Sequence, residues 1–390
     1  MLNIYWFSIL GRLIVPFLNI RKKKNNTILF LAAFYPKNAG YNWRVHKWIE
    51  QLNTQGYNSV SKYTLKASGF DILLTNRSLF LIKTLKKRFW QVISSSSYET
   101  VIVRRELLLY NDYGNLFLDK LLLKIHPNAI LDFDDDISEA KNQPKEINSW
   151  YGKLLLEDGN KFNNSLRLYS NFIVASIHLK SRIIEQNVNY NNIAIIPTCV
   201  DYNDFPQKIY KSNKPFTFGW IGGNHNYFLL DLLLPTFEKI ASEYKFKLLV
   251  IGGIEYKRNV NFDIEFRKWS LHSEIKDLLD IDVGLMPLIN DMESKGKGGF
   301  KLIQYMGLGI VSIASPITIN TEIVDHEKNS FLADKDDDWE FWITELLNGK
   351  IDMQKIGNAA RLKINNNYTF NSNKENYLKF IENVRNSRVL

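Results

Sequence analysis

Residues 295–308 read KGKGGFKLIQYMGL, and where this stretch divides decides the fold. Gly296, Gly298 and Gly299 would each weaken a helix interior by about 1 kcal/mol, whereas Phe300, Ile303, Tyr305, Met306 and Leu308 recur at roughly helical spacing. The glycines therefore belong to a loop, and a helix starts near Phe300. A helix start presents unpaired backbone N–H groups and a partial positive charge, and Lys297 and Lys301 flank this one. Such a place suits an anion.

Outward from this stretch, short apolar runs alternate with helix-length amphipathic segments. Phe216 to Trp220, Lys247 to Ile251, Phe262 to Phe266, Val283 to Met286 and Val311 to Ala314 read as strands, each followed by a turn and a helix. Nearer the start, Asn26 to Phe34, Thr100 to Arg104, Ala129 to Phe133, Phe172 to Ala175 and Ile193 to Pro197 read the same way, with a helix from about Asn42 to Gln55. This is the rhythm of open parallel sheets, an α/β chain of two Rossmann-like domains facing a cleft. The polar stretch YKSNKP (Tyr210 to Pro215) reads as the linker. The expected division is an N-terminal segment 1–25, a first domain 26–210, a second domain 211–370, and a C-terminal helix 371–390 that returns to the first domain.

A second glycine turn, GWIGGNHNY (Gly219 to Tyr227), follows the first strand of the second domain and opens its first helix. Gly222 and Gly223 permit close backbone approach, with Asn224 beside them. Two helix starts facing one crevice grip a diphosphate; the plainer reading is that the glycines close tight turns.

The 390 residues are 45% hydrophobic, ample for two cores, and the net charge of +9 points to an acidic partner. The single cysteine, Cys199, excludes an intrachain disulfide framework and a cysteine zinc cluster and fits a reducing compartment. Six scattered histidines form no metal-binding pattern, so no metal is expected.

The first residues, MLNIYWFSILGRLIVPFLNIRKKK, carry their basic cluster after the apolar part, the reverse of a secretory signal, and Arg12 interrupts them. Two readings stand. Ile4, Phe7, Leu10, Ile14 and Phe17 immerse in a membrane interface while Arg21 to Lys24 meet anionic headgroups, or the helix packs on the first domain.

The order GWIGG, LLVIGG, DIDVGLMPL, KGKGGFKLIQYMGLGIVSIASP, NTEIVDHEKNSFLA resembles the nucleotide-sugar domain of GT-B glycosyltransferases of family 4, also called group 1. AILDFDDDI, FIVASIHLKSRI and IIPTCVDYNDF are similar to the same family's acceptor-domain strands. The resemblance implies a hexosyltransferase-type enzyme of bacterial kind that moves a sugar from a nucleoside-diphosphate donor to a lipid-linked or polysaccharide acceptor. It implies no tightly bound cofactor or metal, and a place on the cytoplasmic face of a membrane.

On that reading Lys297, Lys301 and the N–H groups of Gly298, Gly299 and Phe300 stabilise the charge that grows on the leaving diphosphate. Glu322 begins a short helix near the diphosphate or sugar. Many family members carry two glutamates seven residues apart in this loop and helix, but here Gly296 and Gln304 take those positions, with Glu293 close by. Gln304 retains hydrogen bonding to a ribose. Trp269 packs near the nucleobase or in the core.

Asp132, Asp134, Asp135 and Asp136 end a first-domain strand. A carboxylate there, Asp134 or Asp135 foremost, orients an acceptor hydroxyl or acts as general base, one of the four having its pKa raised by its neighbours, and Asp136 contacts the acceptor; otherwise they form a helix cap and a solvated acidic turn. Arg44 meets an anionic acceptor or the donor phosphate, or lies on the surface. No zinc finger, RNP-like motif or dense basic helix supports nucleic acid, and GWIGGN lacks the GxGxxG of a dinucleotide oxidoreductase. Sugar-nucleotide epimerases and phosphorylases of the same fold stay open.

Overall fold

The computed structural model describes residues 2–19, 23–34, 39–65, 78–108, 116–136, 160–187, 189–202, 205–210 and 215–387. The chain divides into two compact units, residues 1–198 with 373–390, and residues 199–372. Residues 199–210 thus belong with the second unit, while 211–214 of the polar stretch lie outside the described residues.

The first unit is built on β1 (Lys24–Phe34), β2 (Asn58–Leu65), β3 (Tyr98–Arg104), β4 (Ile130–Phe133), β5 (Asn171–Val174) and β6 (Asn192–Ile195), parallel throughout in the order β2-β1-β3-β4-β5-β6. The second is built on β7 (Phe216–Gly222), β8 (Phe246–Gly252), β9 (Asp263–Lys268), β10 (Val283–Met286), β11 (Val311–Ala314) and β12 (Phe331–Leu332), also parallel, in the order β12-β11-β10-β7-β8-β9. The strands read from sequence are all present within a residue or two of their observed ends. β2 and β12 were not read. Both lie at sheet edges: β2 carries the mixed pattern NSVSKYTL and β12 has only two residues.

Continuous apolar runs form the middle strands because helices cover both faces of a parallel sheet. In the second unit Phe218, Val250 and Leu285 are fully buried on such strands, and Gly284 leaves room for the Tyr305 ring beside it. Tyr305 in turn accepts a 2.9 Å hydrogen bond from the Ile221 N–H, tying the helix Phe300–Gly307 to the end of β7.

Two helices outside the sheet rhythm complete the first unit. The N-terminal helix, Leu2–Asn19, packs on the helices Ser78–Ser94 and Phe117–Ile125. Val15 and Leu18 are buried, Ile14 packs against the same core, and a side chain at Gly11 would meet Leu121. Packing therefore accounts for one face of this helix, and Ile14 belongs to that face; the side chains of Ile4 and Phe7 lie outside the described residues. The helix Phe370–Asn386 brings Tyr377 to stack on Trp48, ring centroids 4.1 Å apart at 19°. It also brings the Val384 carbonyl to Asn128 (3.1 Å) and Arg385 to Glu99 (2.8 Å).

Candidate functional site

In the second unit the chain runs outward from β7 through β8 to β9, then resumes on β7's other side with β10. The gap between the carboxyl ends of β7 and β10 is a switch point, where open α/β sheets bind ligands. Both glycine turns empty into it: Gly222 ends β7, and the segment Asp291–Gly299 follows β10.

That second segment is held by local chemistry. Asp291 caps the short helix Met292–Lys295 by accepting from the Ser294 N–H (2.8 Å), and Thr318 donates to the Lys295 carbonyl (2.9 Å). Gly299 is left-handed at φ 67°, and a side chain there would press on Ile323 at 2.7 Å and Ile319 at 3.1 Å. It forms the N-cap of Phe300–Gly307 without any side-chain cap. The helix start expected at Phe300 is the one observed.

Two cations lie by the Gly222 turn. Lys297 Nζ lies 3.3 Å from Asn226 Oδ1 and 3.5 Å from Glu293 Oε1. Lys301 Nζ sits 5.2 Å from the Trp220 ring centroid, and a Cβ added at Gly222 would stand 2.5 Å from that ring and 3.0 Å from Lys301 Cε. Asn224 is exposed beside Gly223, and Gly298 and Gly299 are buried. Glu322, half-buried, stands on the helix Ile319–Ile323 that packs on Gly299, and burial pushes its carboxyl above the usual range.

His225 was missed, although it lies within the quoted turn. Its ring reaches over Gly223, and Asn226 donates to Nε2 at 3.0 Å. Its side chain stays exposed on one side, and partial desolvation, then Lys297 and Lys301, lower its pKa. Glu274 was also missed. This buried carboxylate accepts from Trp269 Nε1 (2.5 Å) and Gln304 Nε2 (2.9 Å), so one amide donor of Gln304 and the indole N–H are already engaged.

In the first unit the carboxylates after β4 meet arginines. Arg44 is buried rather than presented to an acceptor: Nε and Nη2 bind Asp132 (3.1 and 2.7 Å to Oδ1), and Nη1 donates to the Ile196 carbonyl (2.6 Å). Arg104 Nη2 pairs with Asp134 at 2.5 Å, and Arg182 Nε with Asp136 at 2.9 Å. The raised pKa expected of one of these carboxylates falls on Asp132, pushed up chiefly by burial against the pull of Arg44 and Arg104, whereas Asp134 moves the other way. Burial pushes its carboxyl up, but Arg104 and Arg44 outweigh that and hold it at about 2. Asp135 is half-buried beside it.

Residues 215–348 match the family described as Glycosyl transferases group 1. Among solved structures, sucrose-phosphate synthase from Thermosynechococcus elongatus aligns with TM-score 0.67 and 11% identity over 93% of this chain and 99% of that one. HepE of Anabaena, in complex with UDP and glucose, aligns with TM-score 0.65 and 12% identity over 92% and 99%. The lipopolysaccharide outer core galactosyltransferase WaaB in its apo form aligns with TM-score 0.57 and 12% identity over 93% and 99%. At these identities the likeness is one of fold, and no curated protein matches in sequence. The chain has the GT-B fold. Within its second unit, residues 215–348 carry the match to the group 1 glycosyltransferase family.

Proposed function

We propose that the protein transfers a sugar from a nucleoside-diphosphate sugar, bound at the β7–β10 switch point, to a hydroxyl of a cell-surface polysaccharide or glycolipid. The observation that carries this reading is the meeting of the Gly222 turn with the Gly296–Gly299 loop, Lys297 and Lys301 between them. The presence of UDP and glucose in the HepE complex supports the donor class, and the lipopolysaccharide role in WaaB's name supports the acceptor class.

In the reaction the bond from the anomeric carbon to the β-phosphate oxygen breaks, and a bond to the acceptor oxygen forms. The nucleoside diphosphate leaves with its electron pair, and the acceptor proton passes to a base. Lys297, Lys301 and the N–H groups from Gly298 to Phe300 stabilise the leaving charge. Gln304, oriented by Glu274, binds the ribose, Trp269 flanks the base, and Glu293 or Glu322 supplies the carboxylate that touches the sugar. On the acceptor side Asp134, ionised and paired with Arg104, orients the hydroxyl as a hydrogen-bond acceptor; Asp135 and Asp136 complete that edge. No tightly bound cofactor enters this scheme.

A thermal-shift series with nucleoside diphosphates and their sugars tests the reading. A ligand at 100 times its dissociation constant stabilises the fold by about 2.7 kcal/mol. Silence toward every nucleoside diphosphate would overturn the donor assignment.

A further inference from the structure

The N-terminal helix turns one face to the first unit and another to solvent. On the outer face Ile9, Leu13 and Phe17 stand one turn apart and are 53%, 65% and 74% exposed, with Leu10 at 37% beside them. Large apolar side chains gathered on a surface mark an interaction site.

Charge identifies the occupant. The helices Ser78–Ser94 and Phe117–Ile125, on which this helix lies, expose Lys83, Lys86 and Lys87, and Lys120 and Lys124, respectively. Their one carboxylate, Asp119, is buried and accepts from the Tyr169 hydroxyl at 2.7 Å. The N-terminal helix has no acidic residue, and Arg21, Lys22, Lys23 and Lys24 follow it directly. Three adjoining helices thus show an apolar stripe and positive charge with no exposed carboxylate.

We infer that this face docks on an anionic bilayer, with Ile9, Leu13 and Phe17 immersed at the interface and the lysines against lipid phosphates. No helix among the described residues is long and apolar enough to cross a membrane, so the helix lies in the surface plane. A second copy of the chain is disfavoured as occupant, because a two-fold contact would set lysines against lysines. The inference does not depend on the glycosyl-transfer reading.

Co-sedimentation of the full chain with phosphatidylcholine vesicles, with and without phosphatidylglycerol, tests it. The chain should pellet with the anionic vesicles, and less so as salt rises. Leu13→Asn with Phe17→Asn should weaken binding at least about tenfold, and Lys83→Gln, Lys86→Gln and Lys120→Gln about fivefold each. All five side chains are exposed, so melting temperature and nucleoside-diphosphate binding should stay at the wild-type values. Failure to pellet, equal pelleting without anionic lipid, or unchanged binding by the Leu13/Phe17 variant would each overturn the inference. So would a wild-type dimer in analytical ultracentrifugation that the same variant dissolves while vesicle binding is lacking.

Discussion

The Lys297 ammonium stands 3.3 Å from the side-chain oxygen of Asn226, which joins two glycine turns 71 residues apart in the chain. A strong charge-assisted hydrogen bond is about 2.7–2.9 Å long, so this contact holds the ammonium in place without satisfying it. A diphosphate entering the gap offers a stronger acceptor than the amide does.

Lys301→Ala should therefore lower turnover by about 10²–10³-fold, the scale for losing one preorganised contact to developing charge. Lys297→Ala should do the same, with part of its effect in donor affinity because the negative charge of Glu293 then loses the ammonium 3.5 Å away. Steady-state kinetics on variants that melt normally would settle this, and wild-type turnover would remove either lysine from the chemistry.

Gly299→Ala combines left-handed backbone with a clash against Ile323. We expect a stability loss of at least about 1–2 kcal/mol, from the backbone alone, and weakened nucleoside-diphosphate binding. Gly349→Ala is the control: it has a similar φ, 66°, but nothing within 4 Å of the added carbon. It should cost the backbone strain yet leave binding intact, as calorimetry on the two variants would show.

His225 supplies a pH signature. Its pKa in the free protein is lowered by partial desolvation and by Lys297 and Lys301. A bound diphosphate brings opposite charge and raises that pKa, so binding takes up a proton. Affinity should then rise as pH falls through the bound-state pKa and level off below the free-state value. Titration of affinity in His225→Gln should be flatter over the same interval.

Asp134 controls an acid limb. Its folded pKa of about 2 lies below the ordinary aspartate value near 3.9, so its ion pair contributes stability that is fully present above about pH 4. That contribution, roughly 2–3 kcal/mol, is lost as pH falls from 4 toward 2. Asp134→Asn should remove it at neutral pH and flatten the fall; acid denaturation curves as steep as wild type would contradict the pairing.

The sheets were legible because their inner strands are apolar runs separated by helix-length segments, and the two turns at the β7–β10 switch point because Gly222, Gly298 and Gly299 interrupt that rhythm. β2 and β12 escaped because edge strands need not be apolar throughout. Side-chain pairing across strands was not legible. Arg104 lies opposite Asp132 in the β3–β4 register, which puts its guanidinium on Asp134 and turns an expected base into a strongly acidic group. Arg44 with Asp132, 88 residues apart, and Glu274 with Gln304, 30 apart, follow from folded geometry that apolar periodicity does not encode.

The stacking of Tyr377 on Trp48 also orders events during synthesis. The ribosome delivers the strands of the first unit early, yet the helix that covers Trp48 and reaches Asn128 and Glu99 emerges only after the whole second unit. At ordinary elongation rates that interval lasts on the order of ten to thirty seconds. For that time the nascent first unit shows the Trp48 surface bare, a natural point for a chaperone to hold it, while the second unit completes its own sheet without waiting.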